Sequence, residues 1–167
     1  MTCNEKMVSI FRHGINNDQG TDYEGQSKKE TLSTYICLRQ HTTDGTERFL
    51  VSKWSNGNAF RISYDATSSG TIKLYNGTSS AASFTSKVLP IDKWTHFALV
   101  RSANYVHLYL NGESSSTQTL SSGNQSFTGT GNHSADKFEI GNVTQDNDKG
   151  YFGLIADFRY AKKAVYS

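Results

Sequence analysis

Residues 94–113, WTHFALVRSANYVHLYLNGE, alternate apolar and polar side chains in two short runs separated by a polar turn. In the second run, Val106, Leu108 and Leu110 fall on one face, which is the period of a half-buried strand. The stretch closes with Asn-Gly at 111–112, the strongest short turn signal for a strand reversal. It therefore predicts antiparallel strands and excludes a long helix here.

Similar runs recur along the chain, whereas long helical periodicity does not. The predicted strands are 7–11, 31–39, 47–54, 59–65, 71–76, 82–89, two short strands within 94–113, 137–142 and 151–161. Nine Phe, nine Tyr and 14 Gly against one Pro favour strands joined by tight turns. The fold class is all-β, a sandwich or barrel. No internal repeat or long linker divides the chain, so we expect one compact domain.

Charge and hydropathy exclude two classes of partner. The formal net charge is +2 and Lys and Arg are scattered, so nucleic acid is not expected as a partner. No apolar run approaches the roughly 20 residues that span a bilayer, so we expect no membrane insertion. The start, MTCNEKMVSIFRHG, lacks the features of a secretory signal. We expect a protein that acts where it is made, or leaves the cell inside something larger.

The two cysteines, Cys3 and Cys37, are too few for a disulfide framework and lack metal-ligand spacing. Cys37 falls within a predicted strand, where a buried thiol behaves as a small hydrophobe. The alternative is a Cys3–Cys37 bridge, which would close a loop of about 35 residues and contribute roughly 3–4 kcal/mol.

Three segments resemble a known family. Residues 94–113 resemble the W-x-H-x-A-L-V-R … V-x-L-Y-x-N-G hairpin of laminin G-like domains, within the concanavalin A-like lectin/glucanase group. FEIGN and, ten residues later, FGLIADFRYAKKAVYS resemble that family's closing strand and tail. TLSTYICLR lies where the family usually has F-T-I-S-x-W-V, with Tyr35 in the place of the tryptophan. The resemblance covers residues 30–167 and implies a jelly roll of two antiparallel sheets with rim loops available for binding.

Within that family, RFLVSKWSNGNAFRISYDATSSGTIKLYNG and the tail DFRYAKKAVYS are similar to laminin G-like modules of bacteriophage virion proteins. The resemblance implies a capsid decoration or fibre component, made in the host cytoplasm and located on the virion. Its partners would be other virion proteins and, through the rim, host-surface glycans. Residues 1–29, a strand followed by a polar connection, are the predicted anchor. A homo-oligomer is compatible with such a role, and the sequence does not decide it.

Catalysis is not expected. Retaining glycosidases need two carboxylates about 5–5.5 Å apart, and glucanases of this group carry them on one strand as E-x-D-x-x-E. The chain has no such triplet, and its closest acids, Asp146 and Asp148, fall in a predicted loop. His96 could serve as a base, but Ala98 and Val100 share its strand face, which favours a structural or edge role.

Calcium is the one cofactor that the sequence suggests. Ca²⁺ takes six to eight oxygen ligands, and GNVTQDNDKG offers Asn142, Asp146 and Asp148, together with Asn147, in one rim loop. The alternative is a solvated turn, because Asp and Asn side chains also bond their own backbone in loops.

Exposed aromatic residues that stack on sugar rings would mark a lectin. Trp54 lies at a strand end beside a turn that contains Gly57 and Asn58, and Tyr151 is a further candidate for ligand binding. Ordinary packing is the alternative for both aromatic residues, as it is for Tyr75. The polar segment 113–135 is predicted to be a rim loop, functional or merely exposed. The resulting hypothesis is a non-enzymatic virion adhesion protein; the alternative is a stand-alone carbohydrate-binding module or lectin.

Overall fold

The computed structural model describes residues 29–40, 45–53, 60–65, 69–76, 79–120, 138–142, 149–161 and 165. The strands are β1 Lys29–Leu38, β2 Glu47–Lys53, β3 Phe60–Asp65, β4 Thr71–Asn76, β5 Ser79–Thr85, β6 Trp94–Ser102, β7 Tyr105–Leu110, β8 Glu113–Thr119, β9 Phe138–Ile140 and β10 Gly153–Ala161. The predicted first strand, 7–11, lies outside the described residues. None of the described residues forms a helix that is long and apolar enough to cross a membrane.

The described strands form a sandwich of two antiparallel sheets with five strands each, which confirms the all-β prediction. The first sheet has the order β10-β1-β6-β7-β8, and the second has the order β5-β4-β3-β2-β9. Alternate residues of both sheets point inward to one apolar core, because the side-chain period of a strand is two. Fully buried members from both sheets include Leu32, Phe97, Leu108, Ile62, Tyr64 and Ile72.

The hairpin that the sequence predicts is present. β6 and β7 pair in register, with Leu99 opposite Leu108, and both side chains are buried. Asn111 and Gly112 have φ angles of 53° and 83°, as a two-residue reversal between β7 and β8 requires. The segment after it, predicted as a rim loop, is a strand over Glu113–Thr119. That prediction was wrong for these residues because β8 is an edge strand with hydroxyl side chains and gives no apolar alternation.

The last strand departs from its predicted pattern. The sequence places Phe152, Leu154, Ala156, Phe158 and Tyr160 on one face, but of these only Phe158 and Tyr160 pack against the core, and Phe152 and Leu154 are exposed. A β-bulge is the reason, since β1 advances from Ser33 to Tyr35 while β10 crosses one extra residue. The extra residue is Asp157, whose φ is 51°.

Two further contacts fix the first sheet. The fully buried guanidinium of Arg101 in β6 donates from Nε to Oε2 of Glu30 in β1 at 2.9 Å. The Tyr160 hydroxyl of β10 donates to Oε1 of the same carboxylate at 2.8 Å, so three strands share one ion-pair network. Cys37 is buried and disulfide-bonded. Cys3, the other cysteine of the sequence, lies outside the described residues.

Candidate functional site

The inward-pointing side chains of the second sheet form part of the core, and most side chains on its outer face are polar. Register places the side chains of this face in rows across β2, β3, β4 and β5. One row runs Phe49, Ser63, Lys73, Ser83, and another runs Ser52, Arg61, Tyr75, Ser80. Glu47 lies at the start of β2 on the same face. We call Glu47, Arg61, Ser63, Lys73 and Tyr75 the Glu47 cluster.

The Glu47 carboxylate is the centre of this cluster. The Tyr75 hydroxyl donates to it and lies 2.7 Å from Oε2 and 2.8 Å from Oε1. Ser63 Oγ donates to Oε2 at 3.2 Å, and Lys73 forms an ion pair with Oε1. Two neighbouring strands therefore supply donors to a carboxylate of a third, and this fixes its orientation.

The surroundings of Glu47 keep it charged. Burial alone would raise the pKa of this carboxyl, but hydrogen bonds from Lys73 and Tyr75, the Lys73 charge and Ser63 together lower its pKa below the usual range. Burial and the hydrogen bond to Glu47 raise the pKa of Tyr75, so its hydroxyl stays a donor. A glycosidase's general acid needs a raised pKa. Glu47 has the opposite, so the cluster offers a charged hydrogen-bond acceptor and not a general acid.

Arg61 completes the cluster by stacking. Its guanidinium carbon lies 4.7 Å from the centre of the Tyr75 ring and 5.3 Å from that of Phe49. Arg61 and Phe49 are buried, whereas Lys73, Tyr75 and Glu47 are half-buried. A ligand on this face would therefore meet a carboxylate, an ammonium group and a phenol whose positions are already set by the residues behind them.

Most predicted site residues fall outside the described part of the chain. Trp54, Gly57 and Asn58 lie there, as do Asp146 and Asp148, so their roles stay predictions.

Tyr151 is the one described member of the predicted ligand-binding set. It is half-buried and packs against the main core, and burial raises the pKa of its phenol. No described residue forms a hydrogen bond with its buried hydroxyl. This placement favours the packing alternative, while a ligand-binding role stays a prediction.

Asn142 is the one described member of the predicted calcium set. Asn142 is exposed, and its backbone carbonyl accepts a hydrogen bond from Ser52 Oγ at 3.0 Å. Within the described residues, no group of three or more His, Cys, Asp or Glu side chains could hold a metal ion. The proposed calcium loop therefore depends on residues beyond those described.

No local sequence pattern pointed to the Glu47 cluster. Its members come from β2, β3 and β4, and only the register of those strands brings them together. One signal was present: the outward positions 61, 63, 73 and 75 are polar or aromatic, with both charged and hydroxyl groups. That pattern is also what any solvent-facing sheet shows, so it could not single out a site.

The comparisons with known proteins agree with the fold. A laminin G family model, described as the concanavalin A-like lectin/glucanases superfamily, matches residues 17–166. No curated protein matches the sequence.

Three solved structures share the fold at low identity. A pentraxin from Limulus polyphemus is 14% identical, with a TM-score of 0.58 over 83% of this chain and 66% of the pentraxin chain. A putative carbohydrate binding protein from Bacteroides ovatus is 15% identical, with a TM-score of 0.60 over 85% of this chain and 40% of the other. Domain 4 of an extracellular arabinanase from Geobacillus stearothermophilus, solved with arabinotriose, is 21% identical, with a TM-score of 0.50 over 83% and 63% of the two chains. The chain thus spans between 40% and 66% of their lengths.

Proposed function

We propose that this chain, which belongs to the concanavalin A-like lectin/glucanases superfamily, is a non-enzymatic module that binds carbohydrate. The observation that carries the proposal is the Glu47 cluster. It holds a charged carboxylate, a phenol donor and an ammonium group together on one outer sheet face. Such oriented polar groups are what a specific site needs in addition to shape.

The chemistry of the cluster suits sugar hydroxyls. A hydroxyl both donates and accepts, so it can donate to the Glu47 carboxylate and accept from the Lys73 ammonium group. The Tyr75 ring, backed by Arg61 at 4.7 Å, adds an aromatic surface beside these groups. The surrounding positions Thr71, Ser80 and Ser83 carry hydroxyls that extend the polar face.

Two of the similar structures support a carbohydrate ligand. One is described as a putative carbohydrate binding protein, and another domain was solved in complex with arabinotriose. Other chains with this fold are parts of a Trypanosoma rangeli sialidase, but they are 11–13% identical, and this chain spans only 21% of that enzyme. We therefore propose binding without hydrolysis.

For the biological setting we propose a virion surface, as a capsid decoration or a fibre tip. The support is the similarity of residues 48–77 and of the tail to bacteriophage laminin G-like modules. In that setting residues 1–29 would contact other virion proteins, and the Glu47 cluster would face host glycans. The alternative is a lectin that acts alone.

The two settings are separable by experiment. Mass spectrometry of purified particles should detect the protein if it is a virion component, and deletion of residues 1–29 should abolish its incorporation. Presence only in the soluble fraction of the lysate would favour the stand-alone lectin.

Calcium at Asn142, Asp146 and Asp148 is part of the proposal for the rim. Carboxylate and amide oxygens are the ligands that calcium prefers. Calcium should raise the melting temperature of the protein, and an Asp146→Asn/Asp148→Asn variant should lose that rise. An unchanged melting temperature with calcium would remove the metal from the proposal.

A glycan array tests the binding proposal. We expect the native chain to bind a subset of the immobilised oligosaccharides and Tyr75→Phe to weaken that binding about tenfold, because it removes the hydroxyl that donates to the Glu47 carboxylate and orients it. Tyr105→Phe is the matched control, since Tyr105 lies exposed on the first sheet. Equal binding by both variants would show that the Glu47 cluster does not hold the sugar.

A further inference from the structure

The outer face of the first sheet carries a second group of polar and aromatic side chains, far from the Glu47 cluster because it lies on the opposite side of the sandwich. Tyr35 in β1 and His96 in β6 are cross-strand partners. Their ring centroids lie 5.0 Å apart, with an angle of 61° between the planes. This edge-to-face pair is half-exposed. It gives this face an aromatic surface that water reaches.

The β-bulge of β10 carries an ion pair on the strand next to Tyr35, whose cross-strand partner is Ala156. Arg159 donates from Nε to Oδ1 of Asp157 at 3.0 Å and from a terminal nitrogen to Oδ2 at 2.8 Å. A hydrogen bond from β1 holds the backbone at the bulge, because the buried Thr34 hydroxyl donates to the Ala156 carbonyl at 2.8 Å. The backbone that carries this ion pair is therefore held in place.

His96 lies within electrostatic reach of this pair. Burial and the Arg159 charge lower the pKa of His96, and Asp157 acts in the opposite direction. Its backbone is held as well, since the His96 N–H donates to Asn111 Oδ1 at 3.0 Å. At neutral pH the ring is uncharged, so it can both accept and donate a hydrogen bond.

Stability does not explain this arrangement. The Arg159 side chain is 58% exposed and that of Asp157 is 34% exposed, and an ion pair so open to water contributes little to folding. The bulge that presents it holds Asp157 at φ 51°, a left-handed conformation that Asp adopts more readily than most residues with a side chain.

We propose that Tyr35, His96, Asp157 and Arg159, the Arg159 cluster, form a second saccharide-binding site, for an uncharged sugar. The inference rests on the proposed function. A carboxylate accepts from sugar hydroxyls, a guanidinium donates to them, and the half-exposed rings offer an apolar surface to the sugar ring. A neutral ligand fits because the charge of Arg159 is already paired with the Asp157 carboxylate. With sites on opposite faces, one molecule can bridge two glycan chains, which raises avidity on a glycan-coated surface.

An array of immobilised neutral and sialylated oligosaccharides tests this site. We expect Arg159→Gln to weaken binding of at least one neutral oligosaccharide at least tenfold, while Arg39→Gln leaves it unchanged. Arg39 is the matched control, because it too is an exposed arginine paired with an aspartate, Asp92. Melting temperatures of both variants within about 2 °C of the native protein would show that folding is intact.

The outcomes separate the two sites. If Arg159→Gln binds every sugar as the native chain does, or if only sialylated sugars depend on Arg159, the second site is refuted whatever Tyr75→Phe shows. If Arg159→Gln loses a neutral sugar and Tyr75→Phe loses none, the Glu47 cluster fails and the Arg159 cluster stands. If the native chain binds no sugar on the array, both are refuted.

Discussion

Replacing Glu47 by Gln removes the charge on which the Glu47 cluster depends. The carboxylate accepts from Tyr75 and Ser63 and pairs with Lys73, and the Glu47 and Lys73 side chains are 21% and 30% exposed. A buried hydrogen bond to a charged group is worth about 1.5–3 kcal/mol, and partial exposure lowers that figure. Since Gln can still accept from Tyr75, we expect a loss of about 2 kcal/mol in the free energy of unfolding. That corresponds to a melting temperature roughly 4–8 °C lower.

The pH dependence distinguishes this charge effect from a packing defect. The pKa of Glu47 is lowered in the folded protein, so the folded state favours the charged form. The stabilisation is therefore fully present above the unfolded glutamate pKa, about 4.3. It is lost as the pH falls through the lower pKa of the folded state. The difference between the native protein and Glu47→Gln should accordingly shrink as the pH falls below about 4.

Urea denaturation at pH 7 and at successive acid values measures this difference. Glu113→Gln is the control, because Glu113 is an exposed carboxylate on the other sheet. It should change the free energy of unfolding by less than about 0.5 kcal/mol. If the loss in the free energy of unfolding caused by Glu47→Gln stays constant from pH 7 to the acid limit, the reasoning is contradicted, because the loss then arises from shape and not from charge.

Three further predictions concern the fold. Arg101→Met should lower the free energy of unfolding, measured by urea denaturation, by about 3–5 kcal/mol. Adding Glu30→Gln should restore part of this loss, whereas additive losses would contradict a coupled buried pair. Gly70→Ala should lower the free energy of unfolding by about 2 kcal/mol more than Gly45→Ala. Both glycines have positive φ, but of the two only Gly70 would place a Cβ 2.5 Å from a backbone oxygen. Equal losses would show that this close approach relaxes freely. A reductant that opens the Cys37 disulfide should lower the free energy of unfolding by roughly 3–4 kcal/mol, and an unchanged thermal midpoint would show that the bridge does not constrain the chain.

The elements that the sequence predicted well are those whose pattern is local. The hairpin of β6 and β7 follows from alternation, and the reversal at Asn111 follows from the backbone preference of Asn-Gly. β8 was missed because Ser and Thr on an edge strand give no apolar period. The end of β5 was placed four residues too late because Ser86, with φ 58°, turns the chain after Thr85.

The candidate sites were beyond local reasoning for a different reason. One extra residue in a strand moves every later side chain to the other face. The bulge at Asp157 did this in β10, where Phe158 and Tyr160 pack against the core but Leu154 and Ala156 do not, and where Ala156 lies opposite Tyr35. The Glu47 cluster likewise depends on which residues of β3 and β4 lie opposite each other. Such pairings depend on tertiary register, which a single sequence does not reveal.

The most direct test of the central claim maps a bound sugar onto the molecule. The strongest-binding oligosaccharide of the glycan array would be titrated into isotopically labelled protein, and changes in amide chemical shifts would be followed by nuclear magnetic resonance. We predict that the largest changes include the amides of Arg61, Lys73 and Tyr75 and that they saturate with the array affinity. The account would be contradicted if the chemical-shift changes were confined to the rim, around Asn142 and Tyr151, and absent from both outer sheet faces.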